Sequence, residues 1–126
     1  MIDTAKIDRW LEQYLIAWKT DAPDDVARLF ADNARYYTEP FRQPHMGRDE
    51  IVAWWIANGD STIPWTFDYE VIAREGDLYV LRGVTRYPEG VPAERTDPDV
   101  YHNLWLVTLA EDGRATEFVE YWMLAR

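Results

Sequence analysis

The chain has 126 residues, 48% hydrophobic and 29% charged, with 23 acidic against 13 basic residues and a net charge of −10. That length supports one domain around one core, no run approaches the apolar length of a membrane span, and the negative field disfavours nucleic acid and anionic membranes as partners. With no cysteine and two histidines, disulfides, thiolate metal sites and histidine-rich metal cages are excluded; no secretory leader pattern opens the sequence, so a single cytoplasmic domain over residues 1–126 is expected.

Seven Trp, eight Tyr and four Phe make 15% of the chain aromatic, more large rings than a small core places without leaving some on a pocket or an interface. In chain order, Ile7, Trp10, Leu11, Tyr14, Leu15 and Trp18 follow a helical period and predict a first helix, with Asp3 placed to cap it. Tyr14 sits mid-stripe, so its hydroxyl needs an interior partner. After the Asp21-Ala22-Pro23 break, Val26, Leu29 and Phe30 give a short second helix one apolar face, and the two helices are expected to pack as a hairpin.

Ala34 to Thr38 predicts a short strand that ends at Glu39-Pro40. Proline fixes its own φ and pushes the residue before it into extended backbone, so Glu39 is held on stiff chain, as a turn organiser or a catalytic base. His45 follows in a proline-flanked loop. Helix three starts after Gly47, carries Asp49 and Glu50 in its first turn, buries some of Ile51, Trp54, Trp55 and Ile56, and ends at Asn58-Gly59.

Beyond Pro64 the period changes to two. Trp65, Phe67, Tyr69 and Val71 alternate with polar residues, Glu75-Gly76-Asp77 turns into a second strand over Leu78 to Tyr87, and Pro88 to Asp99 reads as a loop, either a lid or a connection. Val100 to Ala110 and Arg114 to Ala125 form a closing hairpin about Glu111-Asp112-Gly113. Tyr101, Asn103, Trp105, Val107 and Leu109 share one face of its first strand; Phe118, Glu120 and Trp122 share one face of its second, with Val119, Tyr121 and Met123 on the other. Both faces are partly apolar. Helices can cover one, and a second copy of the chain is the expected cover for the other, giving a homodimer through the outer sheet face. The element order argues for α+β, with a cone-shaped, curved antiparallel sheet wrapped around the N-terminal helices and a cavity between them.

Four patches resemble the nuclear transport factor 2-like superfamily, in its SnoaL-like and ketosteroid-isomerase-like branch: Tyr14 with Leu29-Phe30-Ala31-Asp32-Asn33-Ala34; Glu39-Pro40-Phe41; Gly47-Arg48-Asp49-Glu50-Ile51; and Asp112-Gly113-Arg114 leading to Glu120-Tyr121-Trp122. The resemblance implies an internal pocket for a small, largely apolar carbonyl or polyketide-like molecule, and proton transfer beside the carbonyl without a cofactor or metal. It puts Tyr14 at the oxyanion-donor position and Glu39 at the place of the family's aspartate base. Trp105 stands where the isomerases carry a protonated aspartate, with Asn103 one inward position earlier, so these two are the candidate second donors. Glu120 is turned toward the cavity as an auxiliary acid. Trp18, Tyr37, Phe41, His45, Trp55, Phe67, Asn103, Trp105, Phe118 and Trp122 are the expected ligand-binding residues. The dehydratase members pair an Asp at the end of helix one with a His across the pocket; here that helix ends Trp18-Lys19, and His102 has the strand parity that points away. The competing expectation is a non-catalytic binding or assembly domain whose tryptophans fill the cone, and cavity volume separates the two.

Overall fold

The computed structural model describes residues 1–59, 62–90 and 99–125; the expected loop over Pro88 to Asp99 lies largely outside them. Helix α1 spans Ala5–Thr20 and buries Ile7, Trp10, Leu11, Tyr14 and Ala17, the stripe that the sequence period predicts. Asp3 Oδ1 accepts the Ala5 N–H at 3.1 Å, while the Thr4 hydroxyl donates to Asp8 at 2.7 Å. The helix ends at Asp21, a left-handed residue with φ 50° whose N–H returns to the Ala17 carbonyl. Helix α2 is one short turn, Pro23–Ala27, with proline at its start.

Strand β1 spans Phe30–Tyr37, four residues earlier than the sequence period suggested, so Phe30 belongs to the sheet instead of a helix face. Its buried positions are Phe30, Ala34 and Tyr36. A two-residue strand β2 (His45–Met46) pairs with it, and helix α3 (Arg48–Asn58) starts after Gly47, whose φ of 86° suits a residue without Cβ. Glu50 in the first turn of α3 accepts the Met46 N–H. Strands β3 (Thr66–Glu75), β4 (Leu78–Tyr87), β5 (Asp99–Leu109) and β6 (Ala115–Leu124) follow.

The six strands form one sheet in the order β2-β1-β6-β5-β4-β3. Four pairings are antiparallel, and β1 runs parallel to β6, bringing the first strand beside the last. Register shifts between Phe30 and Arg35, Val71 and Ala73, and Thr108 and Leu109 add local bends to the curved, unclosed sheet. Inside the curve lies α1. Trp10 packs against Phe30 and Phe118, and its indole N–H donates to the Leu29 carbonyl at 2.9 Å, so the largest buried ring also satisfies its one polar atom. The outer face carries Val80, Leu104, Leu106 and Val119, half-buried, with Tyr121 43% and Met123 71% exposed.

Candidate functional site

The inward residues of β4, β5 and β6 meet α1, β1 and α3 around a cavity of about 300 Å3. Its walls are mainly aromatic: Tyr14, Trp18, Tyr36, Trp54, Trp55, Tyr87, Tyr101, Trp105 and Trp122. Asn58, Gly59, Thr85, Asn103 and Glu120 supply the rest, and Glu120 is the one charged side chain among the described lining residues.

Two polar clusters face this space. On the sheet, Glu120 Oε2 accepts both the Asn103 side-chain amide at 2.7 Å and the Trp105 indole N–H at 2.9 Å. Strand register builds the contact, because Trp105 lies directly opposite Glu120 and Asn103 opposite Trp122 on adjacent strands, all with side chains inward. Asn103 in turn accepts the Thr85 hydroxyl at Oδ1, 2.8 Å away. On the other wall the Tyr14 and Tyr36 hydroxyls meet at 3.0 Å, both residues buried. Phe118 stacks beneath Tyr14 at 5.7 Å and touches Trp105 at 5.0 Å, so one ring braces both clusters from behind.

Of the three expected catalytic residues, Tyr14 and Glu120 share the cavity and Glu39 does not. Strand β1 ends at Tyr37, and the chain turns at Glu39-Pro40. There Glu39 Oε2 accepts the Arg42 guanidinium at 3.0 Å on the exposed side of the corner. Tyr36 is the last inward residue of β1, and it is Tyr36 that meets Tyr14. Glu39 thus sits in the turn, paired with Arg42.

Of the residues expected to contact a ligand, Trp18, Trp55, Asn103, Trp105 and Trp122 line the cavity. Phe67 and Phe118 stand one ring behind the wall: Phe67 stacks on Trp105 with centroids 4.8 Å apart. His45 stacks on Trp54 at 4.7 Å, outside the lining. Tyr37 is half-buried and away from the cavity, and Phe41 is fully exposed in the loop after the corner. The tryptophans therefore wall the cone around a remaining space. His102 is exposed on the outer face, consistent with its parity. Among the described residues no three His, Asp or Glu side chains cluster as metal ligands would, and no helix is long and apolar enough to cross a membrane.

Tyr36, Trp54, Asn58, Gly59, Thr85, Tyr87 and Tyr101 also line the cavity and are not among the ligand contacts expected from the sequence. The signal for three of them was present: Thr85 and Tyr87 alternate with Arg86 on β4, and Tyr36 alternates with Arg35 on β1. Away from the cavity, the Tyr69 hydroxyl donates to Asp8 at 2.9 Å. Burial first, then that bond and the Asp8 and Glu12 charges, push the Tyr69 phenol up from 10.0 to about 12.

A family model of the SnoaL-like domain matches residues 11–118. Among solved structures, the epoxide hydrolase/cyclase-like enzyme SalBIII of pyran ring formation in the polyether salinomycin superposes with a TM-score of 0.73 at 17% identity, over 98% of this chain and 95% of that one. A ketosteroid isomerase-like protein from Erwinia carotovora atroseptica SCRI1043 gives 0.66 at 19% identity, over 94% and 95%. A computationally designed 17-OHP binder gives 0.70 at 12% identity, over 93% and 95%. No curated protein matches the sequence. At these identities the likeness is one of fold.

Proposed function

The chain belongs to the SnoaL-like domain family, and from that premise we propose that it binds a small, largely apolar carbonyl or polyketide-like molecule in the aromatic cavity and moves a proton beside the carbonyl. The observation that carries this reading is Glu120, held at Oε2 by Asn103 and Trp105 on the wall of a cavity it shares with the Tyr14–Tyr36 pair. Glu120 replaces Glu39 as the base. Its carboxylate takes a proton from the carbon next to the carbonyl, and the electron pair moves onto the carbonyl oxygen. The Tyr14 hydroxyl, polarised by its contact with Tyr36, donates to that developing oxyanion. Where the ligand carries a double bond conjugated with the resulting enolate, return of the proton from Glu120 to the far carbon of that bond shifts the double bond and completes an isomerisation, and the step consumes no cofactor.

Cavity volume bears on the competing assembly role. About 300 Å3 lies at the small end of the usual ligand range of roughly 300–1,000 Å3, which favours a compact ligand over a filled core. The designed 17-OHP binder indicates that this fold can hold a small organic molecule. Under the same reading the chain is a homodimer through the outer sheet face, where Tyr121 and Met123 stand exposed, and an acidic, cysteine-free chain fits the cytosol.

The test is a thermal-shift screen of small ketones, lactones and sterols, followed by deuterium exchange of each binder's α-protons in heavy water. The wild type is expected to accelerate exchange of at least one binder, and Glu120→Gln to retain binding while losing about 100- to 10,000-fold of the rate. Equal exchange by the two proteins would remove Glu120 from the chemistry; no binder at all would remove the pocket from the function.

A further inference from the structure

Thr85 is 2% exposed on the inner face of β4, and Asn103 is 7% exposed on β5. They are not directly opposite: Thr85 pairs with Tyr101 and Gly83 with Asn103. The Thr85 hydroxyl reaches diagonally to Asn103 Oδ1 at 2.8 Å, and Asn103 Nδ2 continues to Glu120 at 2.7 Å. The three side chains form one polar line across three strands at the cavity wall.

An asparagine amide has similar shape at its oxygen and nitrogen ends, so its environment decides which way it faces. Glu120 accepts at Oε2, where the Trp105 N–H also donates; an amide oxygen turned toward it would put two acceptors together. Glu120 thus selects the nitrogen end, and Thr85 pins the opposite end by donating to the oxygen. Amide nitrogen carries two protons. One goes to Glu120, and the second has no acceptor among the described residues. The Trp105 indole has one proton and gives it to Glu120, so of the two candidate second donors only Asn103 has an N–H to offer a ligand.

We infer that Thr85 is a positioning residue that holds the Asn103 amide with its second N–H presented to the cavity beside Glu120, where it receives an oxygen acceptor of the ligand. The inference deepens the proposed reaction and rests on it for the identity of that acceptor, a carbonyl oxygen. Placed this way, base and donor lie on neighbouring strands and address adjacent atoms of one ligand. A hydroxyl at position 85 is what matters; its methyl is not. Without the hydroxyl, Oδ1 becomes a buried carbonyl lacking its donor, and the amide reorients to recover one.

Side-chain amide resonances in nitrogen-15 spectra test this without turnover. The Asn103 pair is assigned by its disappearance in Asn103→Asp. In the wild type and in Thr85→Ser it is expected to be resolved and protected from solvent exchange. In Thr85→Val the protection falls about fivefold or more while the thermal melt still shows a folded protein. Thr85→Ala carries the same expectation and serves if valine at this site prevents folding. Retained protection in Thr85→Val or Thr85→Ala, or lost protection in Thr85→Ser, overturns the positioning role. Cyclohexanone in excess should shift the second Asn103 N–H of the wild type, and cyclohexane, which has no acceptor, should leave it in place; a shift with both or with neither overturns the donor assignment. A cyclohexanone response without α-deuteration of any binder would defeat the proposed reaction and leave the Thr85 inference standing.

Discussion

At the residue scale the two candidate acids separate by what surrounds them. Glu39 faces one arginine three residues away on an exposed corner, an arrangement typically contributing no more than about 1 kcal/mol. Glu39→Gln should therefore leave stability within that margin and leave the ligand screen unchanged, as read by thermal melts with and without each binder; loss of ligand response would return Glu39 to the site. Sequence parity was enough to turn Asn103, Trp105 and Glu120 inward, because each lies within a regular strand where alternation holds. Glu39 lies just past a strand end, where backbone stiffness says that the residue is fixed but not where it points. The alternation of Tyr36 with Arg35 was legible in the same way, but the extent of β1 was not, because the strand begins at Phe30 and its register is set by distant β6. Tyr79 presents a separate case. Its hydroxyl is buried and has no hydrogen-bond partner among the described residues, while Arg74 lies over its ring at 4.8 Å. An unsatisfied buried hydroxyl costs about 1–3 kcal/mol, so Tyr79→Phe is expected to hold or raise the denaturation midpoint in urea. A clear fall would mean that the hydroxyl has an unseen partner.

At the scale of elements, α1 and β3 meet through the Tyr69–Asp8 bond as well as through the Trp18 and Phe67 rings. Because the folded phenol holds its proton up to about 12 against 10.0 ordinarily, this contact contributes fully below pH 10 and is lost as pH rises toward 12. Wild-type stability should thus fall more steeply than that of Tyr69→Phe across this window, measured by urea unfolding at stepped pH; parallel curves would count against the bond. Gly83 sets another contact. A Cβ there would meet the Phe67 ring at 2.5 and 2.6 Å, and Phe67 is already stacked against Trp105. Gly83→Ala should push Phe67 and Trp105 toward the cavity, costing about 1–3 kcal/mol and changing tryptophan fluorescence; an unperturbed spectrum would show that Phe67 simply swings aside. The alternating residues of β3 to β6 made these elements readable in the sequence, as the β4 bounds Leu78–Tyr87 illustrate. Stacking partners such as Trp18 and Trp65, 3.9 Å apart, were not readable, since one lies on α1 and the other just before β3, and only the folded sheet brings them together.

At the scale of the whole molecule, the two-sided apolar pattern of β5 and β6 makes dimerisation a direct expectation. Light scattering should give twice the chain mass of 14.9 kDa, and Met123→Asp, which places a charge on the exposed outer face, should shift the population toward monomer. A monomer for the wild type at working concentration would refute the interface. With a net charge of −10 on each copy, added salt should tighten the pair. The sheet's order was less legible than its strands: hairpins announce their neighbours, but nothing local announces that β1 lies beside β6. That pairing has a kinetic consequence. Phe30 and Ala115 are register partners about 85 residues apart, so β1 cannot dock until nearly the whole chain is available. Closing so long a loop is entropically costly and slows folding of non-local topologies. Strands β3 to β6, each paired with its neighbour in sequence, can assemble first, with the β1 seam zipping last. Until β6 is available the cavity lacks the wall that carries Glu120 and Trp122, so a nascent chain passes through a period in which the inner tryptophans lack part of their cover.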